Sequence, residues 1–439
     1  MISARPPLTS GPRRGRLRLS LRGLMLAVIP LAAGLGWMAH AIRTQREAIR
    51  IIRAAGGVVR FDYQMQQVAG PGGTQSVFRT EPAAPRWLRW FLGDELFRSV
   101  QWVGLSPLPT PDTLAAVARL DRLEQLSLND QGGGSDYSQL RGLSRLEDLQ
   151  VGGSGVDDAA LAAIAGIGTL RKLQVIGTAG TDAGFSRLAA LPRLAELGIG
   201  SNPNLTADGL ARALAGLPGL RTLTLADCVE SPPAAAAVVT ALARHHPELQ
   251  SLSLAVGEVS DDDLRAIGRL TRLRELSLQI NQVTDAGVTH LGTLRALETL
   301  NLAHNAVTDR GLATLGTLPR LEYLDLSGTA ITDAGLPQLA RVPHFRSLRL
   351  DGTGVTDAGL PALARFARLA QLGLSGNSAI TDAGLPLLRS IRGLELVELS
   401  WTGVSDPGVA ALKAAQPRLN VSRFHGSNPT APSSPSVPR

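Results

Sequence analysis

A single cysteine, Cys228, stands in a chain of 439 residues, so no intramolecular disulfide can brace this fold. Zinc-finger spacing is absent too, and the cysteine count does not fix the compartment, since many proteins outside the cytoplasm lack disulfides. A nucleophilic role for Cys228 would need a base close by. His245 and His246 stand in the far part of the same stretch, and as adjacent residues they face different ways, a poor metal pair. Neither G-x-x-x-x-G-K-[ST], H-E-x-x-H nor G-x-S-x-G occurs. The glycine-rich stretches at residues 70–74 and 131–135 lack a phosphate-binding context and read as loops. These absences leave no catalytic constellation, cofactor site or metal site to expect. Aromatics are also scarce, at 4%, against 44% apolar residues overall. That balance suits many small, similar layers better than one bulky centre.

Acidic residues are nearly missing from the start of the chain. Residues 1–60 hold eleven arginines and one acid, Glu47, so this segment carries +10 of a net +7 and the rest of the chain carries −3. A mildly acidic main body makes a nucleic-acid footprint there a poor expectation. Within the basic segment, residues 23–42 contain no Asp, Glu, Lys or Arg. Twenty helical residues span about 30 Å, one bilayer core, and Pro30 and Gly34 are tolerated in such a helix. Trp37 suits the interface. Six arginines precede the stretch and five follow it, which favours a cytoplasmic N-terminus and a main body outside the cytoplasm. The expectation is an uncleaved transmembrane helix; a signal peptide cleaved after Ala39-His40-Ala41 is the alternative. Residues 43–57 then read as a juxtamembrane helix stopped by Gly56-Gly57, with Arg43, Arg46, Arg50 and Arg53 on one stripe. That stripe suits either anionic head groups or plain solvent.

What the chain has in abundance is one phrase. L-x-x-L-x-L appears as Leu273/Leu276/Leu278 and returns every 24 residues as Leu297/Leu300/Leu302, Leu321/Leu324/Leu326, Phe345/Leu348/Leu350 and Leu369/Leu372/Leu374. Counting outward from Val100/Val103/Leu105 to Leu394/Val397/Leu399, thirteen such lines occur at spacings of 23 to 29 residues. A period of this length marks a solenoid. In each line a short strand points alternate side chains inward. Eight residues on comes Asn or Thr, as at Asn202, Asn281, Asn305, Thr329, Thr353, Asn377 and Thr402, placed to satisfy backbone groups as the chain leaves the strand.

Then follows T-D-x-G-L, for example Thr332-Asp333-Ala334-Gly335-Leu336. Thr332 and Asp333 stand where a short helix begins, and both are expected to cap its free N–H groups. Gly335 is expected to let neighbouring coils approach. Pro337, Pro361 and Pro386 sit just after, a position allowed only near a helix start, so the helices must be short and some 3₁₀. A metal-binding ladder of the same aspartates is the rival, but each coil supplies one carboxylate where calcium needs several converging oxygens.

The line "LEYLDLSGTAITDAGLPQLA" resembles a leucine-rich repeat with short helices, similar to those of F-box leucine-rich-repeat proteins, although no F-box precedes it. The whole layout resembles membrane-anchored leucine-rich-repeat proteins of planctomycete bacteria. The resemblance implies an α/β leucine-rich-repeat solenoid, with a curved parallel sheet on the concave side and short helices on the convex side, behind an N-terminal transmembrane helix. The expected plan is a basic lead (1–22), the transmembrane helix (23–42), the juxtamembrane helix (43–57), an N-terminal cap (58–99), about thirteen repeats with a C-terminal cap (100–425) and a Pro/Ser-rich disordered tail (426–439). The cap should combine a strand over residues 58–66 with an amphipathic helix over 85–97 bearing Trp87, Trp90 and Phe91.

No activity comes with that resemblance, and the function expected is binding of a protein or an extended polymer. Positions three and five of each line face the concave side. Most are bland, but Glu275, Asn301, Tyr323, Asp325, Arg349, Glu398 and Trp401 form a richer stretch and are the candidate partner-binding residues. An ordinary solvated strand face is the plain alternative. A solenoid-type regulator, GTPase-activator-like or a substrate-receptor-like adaptor, is the second functional class, and a purely structural envelope spacer the third.

Overall fold

The computed structural model describes residues 21–62, 66–70, 73–77, 99–106, 110–132, 135–227, 232–255, 258–339, 341–342, 344–366 and 368–423. Cys228, the 85–97 segment and the two chain ends fall outside the described residues. One sheet of fifteen strands runs the length of the molecule. Fourteen of these strands, from Val100–Leu105 to Asn420–Ser422, lie parallel in sequence order, one for each of the thirteen lines and a last one beyond them. The second leucine of each line pairs with its counterpart: Leu276, Leu300, Leu324, Leu348 and Leu372 sit side by side in register, each at most 1% exposed. A one-residue slip would turn this row outward, so burial fixes the register.

The chain returns between strands by short helices. Asp285–Leu291 and Asp309–Leu315 have seven residues, while Leu336–Leu339, Leu360–Leu363 and Leu385–Leu388 have four. The four-residue helices are those carrying Pro337, Pro361 and Pro386, whose missing N–H is harmless only in a first turn. The longest of the repeat helices, Pro232–His245, fills the 29-residue unit. Between strand and helix, the buried amides of Asn202, Asn281, Asn305 and Asn377 donate to carbonyls of the preceding coil, such as Leu278 O at 2.8 Å from Asn305, and accept from N–H groups there. A buried amide needs such partners on both ends. The residue just before takes a left-handed φ in coil after coil. It is Gly153, Gly177, Gly328, Gly352 or Gly376 in five, and Ser201, Asp227, Ile280, His304 or Trp401 in five others. For a β-branched Ile280 at φ 56° this is strained backbone.

The T-D-x-G phrase works differently from the capping expected of it. Threonine does cap its own helix, as Thr284 Oγ1 accepts from Ala286 N at 3.2 Å at the start of Asp285–Leu291. Aspartate instead reaches into the next coil. Asp333 accepts from Thr356 N at 2.9 Å and from Thr356 Oγ1 at 2.6 Å. The same pair of bonds joins Asp158 to Thr181, Asp182 to Thr206, Asp261 to Thr284, Asp285 to Thr308, Asp309 to Thr332, Asp357 to Thr381 and Asp382 to Ser405. The glycine completes the joint. A Cβ on Gly359 would lie 2.2 Å from Asp333 Oδ1, and one on Gly335 2.3 Å from Asp309 Oδ1. A coil latched on both sides, such as that of Thr332 and Asp333, thus offers a carboxylate forward and a hydroxyl, an N–H and a bare Cα backward. With both oxygens so engaged, these aspartates are latches between coils.

At the N-terminus one helix, Leu21–Ala54, runs into the solenoid and ends where Gly56 takes φ 78° and Gly57 N bonds Ile52 O at 2.9 Å. Ala48 and Ile52 are fully buried against the first repeat. Val58–Phe61 then pairs antiparallel with Val100–Leu105, and Arg60 lies 4.4 Å over the Trp102 ring. The strand expected over 58–66 is two strands, since Gln66–Gly70 pairs with Gly73–Val77 in a separate hairpin. Among the described residues no helix is long and apolar enough to cross a membrane. The side chains of residues 21–27, Leu31 and Leu35 lie outside that description.

Two outcomes follow from the interior. Asp333→Ala and Thr356→Ala should each lower stability by about 1–3 kcal/mol, and the double variant should be little worse than either, because both remove one joint. Gly359→Ala should be destabilising by a similar amount in the native chain and nearly silent beside Asp333→Ala. Additive effects in urea melts would refute the latch. His246 is the second case. It is 1% exposed, with Nε2 3.0 Å from Leu214 O and no partner for Nδ1 among the described residues, and burial holds its pKa below the ordinary value. The unfolded chain then binds a proton first, so the native contribution is complete above about pH 6.5 and is lost progressively below it. The stability difference between the native chain and His246→Gln, followed by melting from pH 8 to 5, should shrink on acidification; a flat difference would refute this.

Candidate partner-binding surface

The three-residue strands each project two side chains away from the buried leucine row, and register stacks those of neighbouring coils. Asn301, Asp325 and Arg349 are successive members of one such row, and Gly373 and Glu398 continue it. Because Gly373 adds no side chain, Arg349 reaches across that strand to Glu398, Nη2 to Oε2 at 3.3 Å. The same guanidinium contacts Asp351 at 3.0 Å and Asp325 at 3.7 Å. One arginine therefore stands among three carboxylates. Burial works against its charge, but Asp351, Glu398 and Asp325 outweigh that, and its pKa is raised.

The carboxylates are held from below as well. Asp325 accepts from Ser327 N at 2.9 Å, from Ser327 Oγ at 2.6 Å and from Tyr323 Oη at 3.3 Å. Asp351 accepts from Ser375 N at 2.7 Å and from Ser327 Oγ at 3.3 Å. A Cβ at residue 373 would lie 2.7 Å from Asp351 Oδ2, so the glycine also makes room for this carboxylate. Burial, and then the nearby Asp325 charge, raise the pKa of Tyr323.

The seven candidate residues divide on this geometry. Tyr323, Asp325, Arg349 and Glu398 converge. Asn301 lies beside Asp325 but is bound into its own turn, accepting from Ala303 N at 2.9 Å. Glu275 stands two strands further off and accepts from Ser251 Oγ at 2.8 Å. Trp401 sits past its strand at φ 53°, at the edge of the hollow that Asp325 and Arg349 also line. Asp325 does not project freely, as expected of a partner-binding group. It is 8% exposed, drawn onto the turn by Ser327 and covered by Arg349. Asp351 was missed because it lies one step beyond the strand positions that alternate outward; its signal is the acid facing a glycine in the next line.

Residues 271–331 match the family model for the leucine rich repeat. Among curated proteins there is no match. Among solved structures, an internalin of Listeria monocytogenes strain 4b F2365 is 21% identical, covering 77% of this chain and 94% of its own, with a TM-score of 0.46. A leucine-rich-repeat protein of Leptospira interrogans is 14% identical over 73% of this chain and 93% of its own, with a TM-score of 0.37. A chain of the yeast Rad7–Elc1 complex is 16% identical over 92% of this chain and 97% of its own, with a TM-score of 0.53. The matched segment and the strand-and-helix coils described above give the chain a leucine-rich-repeat solenoid fold.

The charged network on the sheet has a consequence for stability. Arg349→Ala leaves Asp325 and Asp351 close together without their shared cation. Since the guanidinium is 41% exposed and partly screened, the loss should be about 1 kcal/mol, where a purely solvated arginine would give none. A urea midpoint equal to that of the convex variant Arg365→Ala would show that the network adds nothing to the fold.

Proposed function

We propose that this leucine-rich-repeat protein is a membrane-tethered binding scaffold, with the solenoid outside the cytoplasm and the concave sheet as its working face. The observation that carries the reading is the Tyr323–Arg349–Glu398 cluster, a rigid charged and aromatic patch on an otherwise bland sheet. Side chains already fixed by hydrogen bonds lose little freedom when a partner lands on them. A protein or an extended polymer suits a surface of fifteen strands, and the net negative charge of this cluster taken with Asp325 and Asp351 disfavours nucleic acid. The reading is of binding and not of catalysis, because the carboxylates are engaged with N–H, hydroxyl and guanidinium donors of the chain itself.

Support for the tether comes from the sequence and from the helix Leu21–Ala54 that contains it. Leu24, Met25, Leu26, Leu31 and Leu35 give residues 23–42 much of their apolar weight, and arginines bracket them. The likeness of layout to planctomycete membrane-anchored proteins supports a bacterial setting.

The test is fractionation of the full chain. It should pellet with membranes, resist carbonate, and keep its own N-terminus; protease added from outside the cytoplasm should digest the solenoid. Release by carbonate with a new N-terminus at Ile42 would establish the secreted alternative. Protection from external protease would place the solenoid in the cytoplasm and favour the regulator class.

A further inference from the structure

A hollow of about 840 Å³ opens beside the charged cluster, where the strands turn toward the convex side. Its floor is Gly328, Gly352 and Gly376, the left-handed residues of three successive coils. The coils on either side fill the same backbone position with side chains, His304 before and Trp401 after. The His304 ring leans onto the floor, so that a Cβ on Gly328 would lie 2.4 Å from Nδ1. At Gly352 a Cβ would meet nothing within 4 Å. The result is a groove with a bare backbone floor, an imidazole wall and an indole wall. Its ends are four strand spacings apart, about 19 Å, the length of roughly six extended residues.

The side rail of the groove sets the chemistry of its occupant. Asp325, Asp351 and Arg349 line it, with Glu398 in contact with Arg349. Three carboxylates against one guanidinium leave two negative charges. Arg349 is already matched to all three acids, so it has little attraction left for an incoming anion, and an acidic polymer would be repelled. A guanidinium or ammonium would be drawn in, and an arginine could meet a carboxylate edge with two parallel N–H bonds.

We propose that this groove seats an extended peptide segment bearing arginine or lysine, lying across the coils from His304 to Trp401. The proposal rests on the concave-scaffold reading and narrows it to one place and one partner chemistry. The glycine floor allows a main chain to approach closely, and the acidic rail selects basic side chains.

The test uses the full chain in detergent micelles and an acetylated, amidated hexapeptide of alternating arginine and alanine. Its glutamate counterpart and a neutral glucose hexasaccharide serve as comparison probes. Binding is read by fluorescence anisotropy at two salt concentrations. The arginine peptide should bind, weaken as salt rises, and lose at least tenfold in affinity in Gly352→Asn and in Glu398→Gln. Asn tolerates left-handed backbone, so Gly352→Asn obstructs the floor without unfolding the coil, which a melting curve verifies. The convex variants Gln338→Ala and Arg365→Ala should bind like the native chain. No binding of the arginine peptide, equal loss in the convex variants, or preference for the hexasaccharide would overturn the proposal. Crosslinking in native membranes separates it from the broader reading. Partner contacts on other concave strands, with none in the groove, sink the groove and leave the scaffold; contacts confined to the convex helices sink the scaffold too.

Discussion

The fold depends on a contact between coils more than on any contact within one. A repeat in the run from Leu273 to Leu388 has three strand residues, a helix of four to seven residues and a half-covered set of leucines, too little to stand alone. Stability comes when a neighbour covers that face and the polar ends of both are joined. The aspartate-to-threonine latch makes the polar joint on the convex side, and the buried asparagines make it beneath the turn. The leucine row makes the apolar joint between them. All three point along the solenoid axis, so each coil is held by what precedes and follows it.

Much of this was legible in the one-dimensional pattern, because period and burial are tightly bound. A leucine every second or third residue, repeated at 24, admits one strand register, and prolines after T-D-x-G force short helices. The direction of the aspartate was not legible. A carboxylate at the start of a helix can turn to its own N–H groups or to those of the coil ahead, and a single phrase looks the same either way. The deciding clue is the glycine of the following phrase, which is bare because a neighbour's oxygen occupies the place of its Cβ. The left-handed row was hidden for a related reason. Glycine marks it in five coils, but Ile280, His304 and Trp401 hold the same backbone shape with side chains that do not advertise it.

The concave candidates were found by alternation, which says where a side chain leaves the sheet and nothing about what it then touches. Tyr323, Asp325, Arg349 and Glu398 do converge, while Glu275 and Asn301 are drawn into local bonds. Asp325 shows the limit of the rule most clearly. It starts from an outward position and ends nearly buried, because a serine two residues on offers it both an N–H and a hydroxyl. Glycine again decides the outcome, since the missing side chain at residue 373 lets Arg349 bridge two coils.

The latch also has a polarity. Each latched coil presents an acceptor on one side and donors on the other, so the joint is head-to-tail and never self-paired. Such an assembly rule contains no number: it specifies how one unit follows another and leaves open how many there are. Whole coils can be gained or lost by duplication or deletion without altering the joint, and the working face lengthens or shortens in steps of one strand. Length must then be set by a terminator. At one end that role falls to Val58–Phe61, which runs against the direction of every other strand of the fifteen-stranded sheet. A parallel array cannot be extended in kind past a strand of the opposite sense, so the reversed strand gives this polymer-like fold a defined beginning.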